Sequence, residues 1–177
     1  MIDSAILSAV HKFSFLALTS LEKKSFSLLW RGSRDGFDAE TFHRLCDGKA
    51  NTVTVIKNTN GFIFGGYTSI PWSSSRGYKA DSTAFIFSLT NFSNTPLKLK
   101  VKSPQSAVFH HSSFGPSFGG GRDLFVYSLS NTNRLSSINL HSNEFPNGKC
   151  GNEGGKFIVG GSDHIFQTVE IEVFQVA

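Results

Sequence analysis

Eighteen phenylalanines, against 3 tyrosines and 2 tryptophans, fall in short apolar runs that Gly, Ser and Asn interrupt along this 177-residue chain. Aromatic and β-branched residues fit a pleated, half-buried surface, and Gly, Asn and Ser close such runs with turns. A β-rich fold is therefore expected. Charged residues make up only 17%, below the usual level of about 25%, which excludes high-charge disorder and a coiled coil. A chain of this length can bury roughly 70% of its unfolded surface. One domain over residues 1–177, with its core in 4–176, needs no disulfide or metal to fold.

The net charge is +4 and is spread along the chain. The stretch ending at Ser88 has 10 Lys and Arg against 7 Asp and Glu, and the remainder has 7 against 6. Lys98, Lys100 and Lys102 alternate with Leu99 and Val101, so a strand would place all three lysines on one face. That pattern suits an edge guarded against pairing. It lacks the aromatic interleaving of a nucleic-acid surface, and no nucleic-acid partner is expected. No apolar run approaches 18 residues, so no membrane insertion is expected. His11 and Lys12 break what would be a secretory signal. An intracellular, cytoplasmic placement is the simplest expectation. Two cysteines, Cys46 and Cys150, do not make a disulfide framework.

Asp3 or Ser4 is expected to cap a first helix carrying Ile6, Leu7, Val10 and Phe13. Residues 26–31 read as a strand. Phe37-Asp38-Ala39-Glu40-Thr41-Phe42 is the clearest local signal. Asp38 is a good N-cap, Phe37 and Phe42 hold the two positions of a hydrophobic staple, and Glu40 suits the positive end of the helix. Phe42, Leu45 and Cys46 would share a face, and Gly48 would stop the helix in a left-handed conformation. Asn60-Gly61 predicts a hairpin between strands at 52–57 and 62–68. Gly65 and Gly66, inside the second strand, predict a bulge or a close backbone approach. Short strands are expected at 84–89, 97–101, 107–110 and 124–129, with Gly119, Gly120 and Gly121 forming a tight turn before the last of them. Residues 130–155 read as loop and 157–159 as strand. In a final strand at 168–176, Glu170 and Glu172 share a face with Phe174 and Val176 and are expected to meet solvent. This inventory assembles as a mainly β (α+β) fold, a two-sheet antiparallel sandwich flanked by short helices.

Motifs for chemistry are sparse. Gly151-Asn152-Glu153-Gly154-Gly155-Lys156 lacks both the leading Gly and the following Ser or Thr of a phosphate loop. The triple glycine leads into a strand, unlike a dinucleotide fingerprint. His43 and Cys46, one helical turn apart, are two metal ligands without a second pair. No metal or other cofactor is expected. No Gly-x-Ser-x-Gly elbow is present, although a triad assembled in space leaves no such trace.

Several ordered motifs carry a resemblance. Leu29-Trp30-Arg31-Gly32-Ser33-Arg34-Asp35-Gly36-Phe37 leads to Phe42-His43-Arg44-Leu45-Cys46-Asp47-Gly48. Phe64-Gly65-Gly66-Tyr67-Thr68, Pro71-Trp72 and Ala84-Phe85-Ile86-Phe87-Ser88-Leu89 follow. Next come Phe114-Gly115-Pro116-Ser117-Phe118-Gly119-Gly120-Gly121 with Asp123-Leu124, and last Val169-Glu170-Ile171-Glu172-Val173-Phe174. Together they resemble the TLDc domain (TBC/LysM-associated domain) of oxidation-resistance proteins over roughly residues 4–176. The resemblance implies a two-sheet sandwich with flanking helices and no established catalytic mechanism. It also implies a role in resistance to oxidative damage, and binding to the vacuolar proton-pumping ATPase, as several members do.

Three functions are in competition: a non-enzymatic protein-interaction module, a thiol protein oxidised at Cys46 or Cys150, and a ligand-binding sandwich using Trp72 and Tyr67. Of the two thiols, Cys150, beside Lys149 in a Gly-rich stretch, is expected to oxidise more readily. Recognition is expected in loops: Ser33-Arg34-Asp35, residues 69–78 with Trp72 and Arg76, and residues 117–123 with Arg122 and Asp123. Two of these assignments stay open, because Trp72 would equally well plug the sandwich and Arg34 would equally well pair with Asp123. The acidic pair Glu170 and Glu172 is the next candidate surface.

Overall fold

The fold was obtained as a computed structural model, which describes residues 2–141 and 151–177. Its strands are β1 (Phe26–Arg31), β2 (Thr52–Asn58), β3 (Ile63–Thr68), β4 (Gly77–Lys79), β5 (Phe85–Ser88), β6 (Leu97–Lys100), β7 (Val108–His110), β8 (Phe114–Phe118), β9 (Leu124–Tyr127), β10 (Ser136–Ile138), β11 (Ile165–Phe166) and β12 (Thr168–Val176). They form two six-stranded antiparallel sheets. The first runs β1-β12-β2-β3-β5-β6 and the second β11-β10-β9-β8-β7-β4. The mainly β sandwich expected from the sequence is thus observed. Among the described residues, no helix is long and apolar enough to cross a membrane.

The interlayer core takes Trp30, Ile56, Phe64, Ile86, Leu99, Ile171 and Val173 from the first sheet and Val108, Phe118, Leu124, Val126 and Ile138 from the second. After the short helix α2 (Gly32–Asp35), helix α3 (Ala39–Cys46) adds Phe42 and Cys46. It forms as its sequence predicts: the Asp38 carboxylate accepts from the Thr41 N–H at 2.7 Å, and Gly48 adopts φ +77°. Between β2 and β3, Asn58 Oδ1 accepts from the N–H groups of Asn60 and Phe62 while Gly61 turns the chain at φ +82°. The Gly65-Gly66 pair is a close approach and not a bulge. Pairing of β2 with β3 runs in regular register, and a Cβ would lie 2.8 Å from the Phe87 ring at Gly65 and 2.8 Å from the Phe118 ring at Gly66.

The N-terminal segment departs from expectation. Ser8, not Asp3 or Ser4, caps helix α1 (Ala9–Thr19). Ser4 instead receives the N–H groups of Ile6 and Leu7 in a tight turn and donates its hydroxyl to Glu172. Ile6 and Leu7 therefore precede the helix, where they pack with Ile2 and Phe15 on the outer face of the first sheet, over Val53, Val55, Phe87 and Phe174. Val10 and Phe13, expected on the buried side, are 72% and 76% exposed.

The stretch expected as loop and strand also differs. It holds β10, and residues 151–159 form helix α4 (Gly151–Val159), which replaces the expected strand at 157–159. Glycine usually weakens a helix, but here it permits contact. A Cβ at Gly154 would meet Leu140 at 2.9 Å, and one at Gly155 would meet the Ile138 carbonyl at 1.9 Å. The phosphate-loop pattern therefore fails on its missing Gly and its missing Ser or Thr, and its glycines lie inside the helix and not in a loop before it. β6 is a sheet edge as its lysines suggest, with the Lys98 ammonium 4.3 Å above the Phe85 ring.

Candidate functional site

The candidate residues divide into those the fold consumes and those it presents. β12 is the last strand in sequence but lies between β1 and β2, and its outward carboxylates are both engaged, Glu172 under the N-terminal segment and Glu170 against the backbone just after β1. Glu172 is fully buried and accepts from Arg31 Nε at 2.7 Å, from the Ala5 N–H at 2.9 Å and from the Ser4 hydroxyl. Glu170 is 9% exposed and accepts from the Ser33 and Ile171 N–H groups, each at 3.0 Å. The expected acidic face is therefore an internal anchor and not a docking surface.

Trp72 is also internal. Its Nε1–H donates to Thr52 Oγ1 at 2.8 Å, and its ring packs 5.3 Å from Phe42, 5.3 Å from His110 and 5.6 Å from Phe118. It plugs the sandwich. Tyr67 stacks on Phe85, which belongs to the cluster on the outer face of the first sheet. A site built from both aromatics is therefore not formed.

Arg34 grips its neighbour Asp35 with two hydrogen bonds of 2.8 Å. This bond, more than any other influence, holds the Asp35 carboxyl below the usual range. Asp35 also accepts the Arg31 N–H at 2.9 Å. The alternative partner, Asp123, is fully buried and accepts the His141 N–H at 3.0 Å. Gly119 turns at φ +84° directly against Asp123, where a Cβ would stand 2.6 Å away, and a Cβ at Gly120 would meet Ser106 Oγ at 2.4 Å. Gly121, at φ +118°, completes the turn.

Neither of two further arrangements supports catalysis. His43 Nδ1 bonds Asp47 at 2.7 Å, while Nε2 faces the carbonyls of His111 and Phe114 at 2.9 and 3.0 Å. No ring nitrogen is left for a hydroxyl or a metal shared with Cys46. Cys46 is fully buried, and burial first, then the Asp47 charge, push its thiol up and away from thiolate. Cys150 lies outside the described residues. Among those residues no three His, Cys, Asp or Glu side chains converge as metal ligands.

Arg76 and Arg122 do reach the surface. The Gly121 N–H donates to the Tyr78 hydroxyl at 3.2 Å, which ties the triple-glycine turn to β4. Arg122 lies over Phe125 at 4.9 Å and Phe109 at 5.8 Å. These rings belong to an aromatic outer face of the second sheet that sequence reading missed. Tyr78 packs 5.0 Å from Phe109, and Phe114 packs 4.8 Å from Phe125 and 5.6 Å from Tyr127. Phe109, Phe114 and Tyr127 are half-buried and Tyr78 is 45% exposed. The available signal was that Phe125 and Tyr127 alternate with the core residues Leu124 and Val126, so both faces of β9 are apolar.

The profile of the TLDc domain family matches residues 4–177. The chain belongs to the TLDc domain family. Among curated proteins, this TLDc domain is similar to the MTOR-associated protein MEAK7 of Danio rerio, 40% identical over 53 residues, which is 28% of this chain and 12% of that protein. It is 38% identical over 53 residues to MEAK7 of Gallus gallus, covering 28% and 11% of the two chains. The chain thus matches only a small part of the length of these relatives.

Proposed function

We propose that this TLDc domain is a non-enzymatic interaction module that docks a protein partner through the outer face of its second sheet. The supporting observation is the aromatic face crossed by Arg122. It presents tyrosine and arginine, the residue types that dominate binding hot spots, while Glu170, Glu172, Asp123 and Trp72 are committed to internal contacts. Arg76, exposed just before β4, has no ion pair among the described residues. A surface of this kind suits a partner that offers acidic side chains around an apolar centre. The setting we propose is the family's: resistance to oxidative damage and control of the vacuolar proton-pumping ATPase, whose subunits are the first partners to test. The name of the MEAK7 relatives, which states an association with mTOR, is consistent with protein binding. The burial of Cys46 weighs against a thiol mechanism at that residue.

Arg76→Glu and Arg122→Glu are expected to keep stability within about 0.5 kcal/mol, as surface substitutions usually do, and to reduce capture of purified proton-pump subunits. Capture at the wild-type level by both variants would remove this face from the account.

A further inference from the structure

A cleft of about 560 Å³ opens beside the loop that carries Trp72, at the edge of the second sheet. Its walls are largely apolar, with Ile70, Pro71, Trp72 and Ala80, and the polar side chains that line it are Asp47, Ser73, Lys79 and His110. A concave apolar site with a few convergent polar groups is the usual form of a small-molecule pocket, and its volume lies in the usual range of about 300–1,000 Å³.

His110 gives the cleft its chemistry. The residue is 2% exposed, and its Nε2 has no hydrogen-bond partner among the described residues. Its other nitrogen is occupied: Nδ1 lies 2.8 Å from Ser73 Oγ, which lies 2.7 Å from Ser75 Oγ. Ser73 and Ser75 can donate in either direction; in the arrangement with Ser75 donating to Ser73 and Ser73 to Nδ1, the imidazole proton resides on Nε2, a donor with no partner among the described residues. Buried polar groups are ordinarily satisfied, and an orphan donor calls for an explanation. Lys79 brings an ammonium with no ion pair among the described residues. The cleft's carboxylate, Asp47, is already held by His43 and by the Ser74 hydroxyl, each at 2.7 Å.

We propose that this cleft binds a small carboxylate with an apolar body, the body against Trp72, Ile70 and Pro71 and the carboxylate on the Lys79 ammonium and the His110 Nε2–H. The site is separate from the aromatic docking face, and its test does not depend on any partner.

The probe is 3-phenylpropionate, titrated into 15N-labelled protein and followed by NMR at the Trp72 indole N–H, the Lys79 amide and the His110 ring nitrogens, with 3-phenylpropanamide as the uncharged control. Saturable shifts at these three positions are expected, together with at least roughly tenfold weaker binding of the amide, because a charge-assisted contact is lost. Lys79→Gln is expected to weaken binding of the acid by a similar factor and to leave the amide unaffected. Arg122→Glu is expected to leave the titration unchanged. Equal binding of acid and amide, shifts confined to other parts of the molecule, or no saturable response at millimolar probe would each overturn the proposal. Should Lys79→Gln fail to fold, the comparison of acid with amide on the wild-type protein decides alone.

Discussion

On the first sheet, Phe87 and Phe174 point away from the sandwich and are sealed beneath Ile2, Ile6, Leu7 and Phe15. On the second, Phe109, Phe114 and Tyr127 also point away from the interlayer core but are left half-buried, with Tyr78 at 45% exposure beside them. Glu172, under the N-terminal segment, receives three donors. His110 alternates with Phe109 and so faces inward against Trp72, where it has an imidazole nitrogen without a partner among the described residues. The chain spends its own N-terminus on one outer face and leaves the other with apolar surface and cations. In the function proposed above, this partly exposed aromatic face is the interaction surface.

The sharpest way to break this contrast is to truncate one ring on each face. Phe87 is fully buried and packs 5.1 Å from Phe15. Phe87→Ala is expected to cost about 3–5 kcal/mol in urea denaturation, as for other buried aromatics. Phe109→Ala, which removes a half-buried ring, is expected to cost about 1 kcal/mol or less. Equal losses would mean that the second face is as well covered as the first.

Acidification tests the burial of His110 on the inner side of the second sheet. Burial, then the Lys79 charge, hold His110 at about 4 in the folded protein, against 6.5 ordinarily. The unfolded chain therefore takes up this proton first. The contribution to stability is full above about pH 6.5 and is lost as the pH falls towards about 4, by up to about 3 kcal/mol. His110→Gln removes the titration, so its urea midpoint should change less than wild type between pH 7 and pH 5. Parallel slopes for the two proteins would show that His110 titrates normally.

How far the sequence spoke for itself depended on whether a feature was local. Asp38, Phe42 and Gly48 specify α3 through contacts a few residues apart, and Asn60-Gly61 specifies the hairpin in the same way. The fate of Glu170 and Glu172 turned on β12 entering between β1 and β2, a pairing with partners more than a hundred residues away. Alternation identifies their shared face correctly, but that face is covered, by the N-terminal segment at Glu172 and by the backbone at Ser33 at Glu170. Gly154 and Gly155 misled for a related reason: glycine signals a loop locally, whereas here it admits the backbone of β10. The candidate site was legible at Arg76 and Arg122. It was not legible at the aromatic face, because phenylalanine on both sides of a strand reads as core until the outer rings are seen to be only half-buried by the described residues.

In the proposed function, the half-exposed aromatic face of the second sheet, and not the helical side, meets the partner. Hydroxyl-radical footprinting of the captured complex with proton-pump subunits, read by peptide mass spectrometry, tests it directly. Tyr78, Phe109 and Tyr127 are predicted to be protected on binding, while Phe13, 76% exposed on α1, keeps its free-state oxidation. Protection of Phe13 with unchanged oxidation of Tyr78 and Tyr127 would contradict the claim.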